Sequence, residues 1–180
     1  MKRLSRLIFA ALSGAGALGG LAHAQGPPTP PWGLGPQSAT PIDVPPDVRR
    51  EVGSELDYDD AEPVRGIAVD LNGDGVRDYL LESAPRLCGN GGCVYVLYDG
   101  ATRRKLGQFF GSPLYVRGER THGALNIATY SHQSADSANY TEYSFDGKVY
   151  SVTSARTVDG PAADRLLETL RQIPIWRPRP

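Results

Sequence analysis

Cysteine is scarce in this 180-residue chain, and a surplus of charge of either sign is missing. Two cysteines, Cys88 and Cys93, are too few for a disulfide framework and leave room for one bridge. Nineteen Lys and Arg against 20 Asp and Glu give a net charge of −1, which supplies no electrostatic footprint for nucleic acid or anionic lipid. Catalytic signatures are absent as well. There is no Gly-x-Ser-x-Gly elbow, no His-Glu-x-x-His, no phosphate-cradling Gly-x-x-x-x-Gly-Lys and no dinucleotide fingerprint ahead of a helix. The Gly-rich run 89–92 lies between the cysteines and precedes a strand, so it does not form a phosphate loop. The apolar run from Leu7 to Leu21 is too short and too rich in glycine to span a membrane.

That run reads instead as the centre of an export signal over residues 1–24. Lys2, Arg3 and Arg6 form its positive head, and Ala22-His23-Ala24 fits the small-x-small cleavage rule. No cysteine follows the cleavage point, so a lipid anchor is not expected. Removing the signal takes away three basic residues and no acidic one, leaving a net charge of −4 on roughly 155 residues, one domain by size. Residues 25–46 carry eight prolines with glycines between them and are predicted to be a disordered linker. Trp32 in this tract either packs loosely on the domain surface or belongs to a polyproline segment that a partner reads. The domain proper is expected over 47–176, followed by a flexible tail at 177–180.

The richest stretch is Asp70-Leu71-Asn72-Gly73-Asp74-Gly75-Val76-Arg77-Asp78. Side-chain oxygens recur at every second position, and a hard cation such as Ca²⁺ needs six to eight oxygens at short range. In the EF-hand register Asp70, Asn72 and Asp74 take positions one, three and five. Gly75 falls at the sharp turn, Val76 offers its carbonyl, and Asp78 binds directly or through water. Position twelve is Leu81, not the bidentate Glu of a helix–loop–helix hand. Ile67, Val69 and Leu71 alternate before the loop, and Tyr79-Leu80-Leu81 after it is short and apolar, so strand–loop–strand is expected. A cation held here would organise structure, since its carboxylates stay ionised and Ca²⁺ is a weak Lewis acid.

These residues, over roughly 66–82, resemble a single FG-GAP or VCBS-type repeat, with its apolar strand, Asp-x-Asn-x-Asp-Gly-x-x-Asp and second apolar strand. The repeat's usual arrays build propeller blades, and one copy alone implies a calcium hairpin rather than a propeller. The wider layout is similar to small uncharacterised secreted bacterial proteins. In those a DLNGDG hairpin leads into a Cys-Gly-x-Gly-Gly-Cys turn and a late Phe-Asp-Gly-Lys-x-Tyr hairpin. That resemblance implies no activity.

In an exported chain Cys88 and Cys93 are expected to form a structural disulfide. So small a ring stabilises by about 2 kcal/mol at most. A redox pair would normally have two residues between the cysteines, and zinc would need His122 and His132 to join them. Pro46 to Asp57 is predicted helical, with Val48, Val52 and Leu56 on one stripe. The acidic run Asp57, Asp59, Asp60 and Glu62 is either a solvated loop or a source of one more carboxylate for the metal. Strands are expected over 94–98, 105–110, 114–116 and 124–130, then a hairpin with arms 140–145 and 148–153 around Asp146-Gly147. Ser131 to Asn139 reads as a polar loop, and Pro161 to Ile173 as a helix with Leu166, Leu167, Leu170 and Ile173 on its apolar stripe.

Together these features predict an α+β domain: an antiparallel β-sheet with a calcium-loop hairpin and a C-terminal helix packed on one face. No catalytic residue is assigned. The reading is a periplasmic or secreted, non-catalytic binding module, monomeric, stabilised by Ca²⁺. It would present a Tyr-rich face to an envelope protein or a cell-wall saccharide. Two alternatives stand beside it. One is a small periplasmic hydrolase using His122 and His132; the other is a purely structural envelope protein.

Overall fold

The computed structural model describes residues 29–35 and 38–177. The expected signal segment 1–24 lies outside them, as does the last part of the tail. The strands are β1 (Trp32–Leu34), β2 (Thr40–Pro41), β3 (Arg65–Val69), β4 (Asp78–Glu82), β5 (Cys93–Tyr98), β6 (Lys105–Gly111), β7 (Leu114–Thr121), β8 (Ala124–Ser134), β9 (Ser137–Phe145) and β10 (Tyr150–Asp159). Helix α1 (Pro46–Glu55) precedes β3 and helix α2 (Pro161–Arg171) follows β10. A 3₁₀ turn, Pro85–Leu87, links β4 to the cysteine ring.

The strands make two antiparallel sheets, in the orders β2-β3-β4-β5-β6 and β1-β7-β8-β9-β10. One core lies between them. Ile67, Val69, Leu80, Tyr95, Leu97 and Phe109 of the first sheet meet Trp32, Leu114, Val116, Leu125, Ile127 and Tyr150 of the second. Neighbouring residues of opposite parity face outward, and a helix covers part of each outer face. Val48, Val52 and Leu56 of α1 pack on Leu81, Val96 and Tyr98. Leu166, Leu167 and Leu170 of α2 pack on Tyr115, Ala128, Tyr130 and Tyr140. The order of layers is therefore helix, sheet, sheet, helix. Strands buried on both faces lose the clean apolar–polar alternation of a half-solvated sheet.

Several expectations need correction. The stretch 25–46 is not all linker: Trp32–Leu34 pairs with Leu114–Val116, and Thr40–Pro41 pairs with Arg65–Gly66. Pro30 and Pro31 precede β1, Pro41 sits on the edge strand β2, and Pro45 and Pro46 open α1, where a missing N–H costs no ladder or helix bond. Trp32 is 1% exposed rather than loosely packed. Its ring stands edge-on to that of Trp176, with centroids 5.1 Å apart. The end of the domain before the expected tail is held by the same strand, since Gly33 donates to the Pro174 carbonyl and accepts from Trp176 N–H.

Residues 131–139 are not a loop either. β8 continues to Ser134 and β9 begins at Ser137, because Ala138 and Tyr140 bury against α2. In the next hairpin the connection is four residues, 146–149, and β10 runs on to Asp159. The Asp146 carboxylate accepts from Lys148 and Val149 N–H and sets that turn. Seven of the nine tyrosines are buried, so the expected Tyr-rich outer face does not form.

Candidate metal loop and disulfide end

Val69 and Asp78 are cross-strand partners, so residues 70–77 are the connection of the β3–β4 hairpin. Its side chains build its backbone. Asp70 accepts from Gly73 N–H at 2.7 Å and from Gly75 N–H at 3.0 Å. Asn72 Oδ1 accepts from Asp74 N–H, and Asp74 Oδ1 from Val76 N–H. Gly75 has φ of +85°, a conformation that a side chain at this turn would strain.

Asp78 supports the loop from beneath. It is fully buried and accepts from Leu71 and Asn72 N–H and, from the β5–β6 turn, from Gly100 N–H at 3.0 Å. Burial pushes its carboxyl above the usual range; the three N–H groups oppose this, while the Asp99 charge adds to it. Asp99 itself was legible only as half of an Asp-Gly turn, yet it belongs to this cluster. Its carboxylate accepts from the Asn72 amide at 3.1 Å and from the Thr102 hydroxyl at 2.8 Å. Burial would raise Asp99, but bonds from Thr102, Ala101 and Asn72 outweigh it and leave the carboxyl below its ordinary value. The Asn72 amide also lies 3.3 Å from Asp74 and 3.4 Å from Asp78. Three carboxylates thus surround one neutral donor.

The donor set, oxygen only, has the chemistry a hard cation takes. Asp74 and Val76 are exposed, Asp70 and Asn72 half-buried. In this conformation the carboxylates turn to backbone N–H groups. Among the described residues, one trio of His, Cys, Asp or Glu has ligand atoms all within 4.8 Å of each other, and it is Glu82, Cys88 and Cys93. The acidic run 57–62 contributes nothing to the loop. Arg86 binds Asp57 and Glu62, and Arg49 reaches the carbonyls of Asp59, Asp60 and Glu62.

The other end of β4 carries that trio. Cys88 and Cys93 are joined as a disulfide, with Cα atoms 4.3 Å apart, so their sulfurs are not free ligands. Gly89 and Gly92 exchange backbone hydrogen bonds across the ring. Gly92 packs so closely that a Cβ there would meet the Gly111 backbone at 2.2 Å. Glu82 shares the inward parity of Leu80 and is 6% exposed. Its Oε2 has no hydrogen-bond partner, and neither do Arg65 Nε, the Tyr95 hydroxyl or the Ser112 hydroxyl nearby on the same end of the core. Arg65 and Tyr95 are its cross-strand neighbours on β3 and β5. Burial pushes the Glu82 carboxyl up, opposed by Tyr95 and Arg65.

His122 and His132 do not meet. His122 sits in the β7–β8 turn, its Nδ1 3.0 Å from the Phe145 carbonyl. His132 lies near the far end of β8, edge-on to Tyr130. At about 3.3 Å per residue, the eight strand steps from Ala124 to His132 alone place them roughly 25 Å apart. A groove of about 520 Å³ runs between α2 and the outer face of the second sheet, lined by Arg117, Tyr140, Glu142, Arg156, Leu166 and Ile173 among others. No described helix is long and apolar enough to cross a membrane. The disulfide is the mark of an oxidising compartment. Compared with protein-family models, curated proteins and solved structures, the chain matches none.

Proposed function

We propose that this chain is an exported, non-catalytic interaction module of the bacterial envelope, stapled by Ca²⁺ at the 70–78 hairpin. The observation that carries the reading is the oxygen-only loop, which gathers Asp74, Asp78 and Asp99 around one neutral amide. Asp70, Asn72, Asp74 and the Val76 carbonyl would hold the cation, with Asp78 completing the set, and Asp99 would share the charge. A bound Ca²⁺ supplies the positive charge that these carboxylates otherwise lack. It acts as a structural cross-link between the β3–β4 hairpin and the Asp99–Thr102 turn. The single hairpin is in keeping with the FG-GAP or VCBS-type resemblance.

For the partner, a protein strand is favoured over a saccharide. Saccharide recognition draws on exposed aromatic faces, and the tyrosines here are mostly core. β10 is the terminal strand of its sheet, and its residues from Ser151 to Thr157 are exposed. Ser151 to Ala155 carry no charge to repel a pairing strand, so the edge can accept one by backbone hydrogen bonds.

Thermal melts with Ca²⁺, Mg²⁺ and chelator test the metal. Ca²⁺ at ten times its dissociation constant should stabilise by about 1.4 kcal/mol, and Asp74→Ala should remove the effect. No shift at several millimolar Ca²⁺ would reduce the hairpin to an acidic turn. For the edge, capture of a protein from envelope extract should be lost in Val152→Lys/Ser154→Lys; capture that survives both changes would refute strand addition.

A further inference from the structure

We propose that Cys88–Cys93 is an exchangeable disulfide, with Glu82 as the proton donor to the leaving Cys93 sulfur. The two sulfurs differ in access. Cys88 is partly exposed beside the exposed Gly89 and Asn90, whereas Cys93 is 7% exposed and fixed in β5. An incoming thiolate therefore reaches Cys88, and Cys93 is the leaving group. Gly89 and Gly91 lie between Cys88 and the packed Gly92, so Cys88 can move off without disturbing the sheet.

Glu82 is placed to serve that step. A carboxylate oxygen lies within 4.8 Å of both sulfurs. The side chain is more than nine-tenths buried and Oε2 is unpartnered, an arrangement with a cost that a purely structural carboxylate avoids. Facing it are Arg65 from β3 and Tyr95 from β5, while Tyr58 bonds only its backbone carbonyl. Among the described residues no cation forms an ion pair with it. Burial accordingly favours the protonated form.

The reaction balances with a dithiol reductant. Its thiolate attacks Cys88 Sγ, the Cys88–Cys93 bond breaks, and the electron pair passes to Cys93 Sγ, which takes the Glu82 proton. The reductant's second thiolate attacks the mixed disulfide and releases Cys88 as a thiolate, which protonates from water. The reductant leaves as its own disulfide, two electrons having passed to the cysteine pair, and Glu82 regains a proton from solvent. A general acid that comes within hydrogen-bond reach of its leaving group typically contributes 10²- to 10⁴-fold.

Dithiothreitol is the probe, used on the folded full chain between pH 5 and 8, with rates divided by thiolate concentration. Wild type should fall at least tenfold as pH rises and Glu82 loses its proton. Glu82→Gln should be flat across the range and at least tenfold slower than wild type at pH 5. Glu82→Asp keeps the carboxyl group but withdraws it by one methylene, and should match the Gln variant at pH 5. Either variant is used only if its thermal melt shows a folded protein; should both fail, a flat wild-type profile overturns the proposal and a tenfold fall supports it. Gln equal to wild type at pH 5 would mean that the carboxylate only repels thiolates, which also overturns it. So would reduction no faster than global unfolding.

Discussion

Asp78 and Glu82 stand four residues apart on one strand, both turned inward and both buried, and they are treated in opposite ways. Asp78 accepts three backbone N–H groups and ties two turns together. Glu82 keeps an oxygen with no partner, next to a disulfide and two other unpartnered side-chain atoms, Arg65 Nε and the Tyr95 hydroxyl, on neighbouring strands. The same chemical group is a structural node at one end of β4 and an unsettled, proton-holding group at the other. What separates them is the supply of donors. A tight loop exposes N–H groups that a short carboxylate can collect, whereas the middle of a sheet has already spent its N–H groups on the ladder.

Stability measurements can break this comparison. Asp78→Ala should cost about 3 kcal/mol or more in urea unfolding, because buried N–H groups lose their acceptor. Glu82→Gln should cost less than about 1 kcal/mol, since it replaces a carboxyl that burial favours in its neutral form with a neutral amide of the same shape. Equal costs would mean that Glu82 is as structural as Asp78. Next in size is the ring: Cys88→Ser/Cys93→Ser should lower stability by about 2 kcal/mol on the chain-entropy model. The cation comes third, at about 1.4 kcal/mol for Ca²⁺ at ten times its dissociation constant, and should leave the dithiothreitol rate at the far end of β4 unchanged.

The smallest effect is the pH dependence. The proton that burial holds on Glu82 stabilises the folded state below the ordinary carboxylate range, and that contribution fades as pH rises through the raised folded value. Melts at pH 4 and pH 8 should therefore show Glu82→Gln gaining on wild type at the higher pH. Asp78, also raised, acts equally in both proteins and cancels from the difference. A gap that closes with rising pH would mean that Glu82 is ionised and stabilised in the fold.

Much of the frame was legible in the chain. Val48, Val52 and Leu56 at helical spacing predicted α1, and the Pro161 start with its leucine stripe predicted α2. Cys88 and Cys93 paired as their spacing and setting implied. The misreadings share a cause. Trp32 sits among prolines that forbid a long strand but not the three residues β1 needs. Ser131, His132 and Asn139 look like a loop until Ala138 and Tyr140 are set against α2. Tyrosines with polar tips read as a wet face when the covering helix is not known.

Local chemistry by itself determined the hairpin at 70–78, the helices and the bridge, since each depends on residues within a dozen positions of one another. What covers each sheet, which tyrosines are core, and how Glu82 comes to lie beside two sulfurs were decided by strand register and layer packing. Arg65, Glu82 and Tyr95 are separated along the chain and meet only because antiparallel pairing places them side by side. Asp99 joins the acidic loop for the same reason, through a turn brought alongside by the β4–β5 pairing. A sequence states which side chains carry oxygen; only the fold supplies or withholds the donors that decide what each oxygen does.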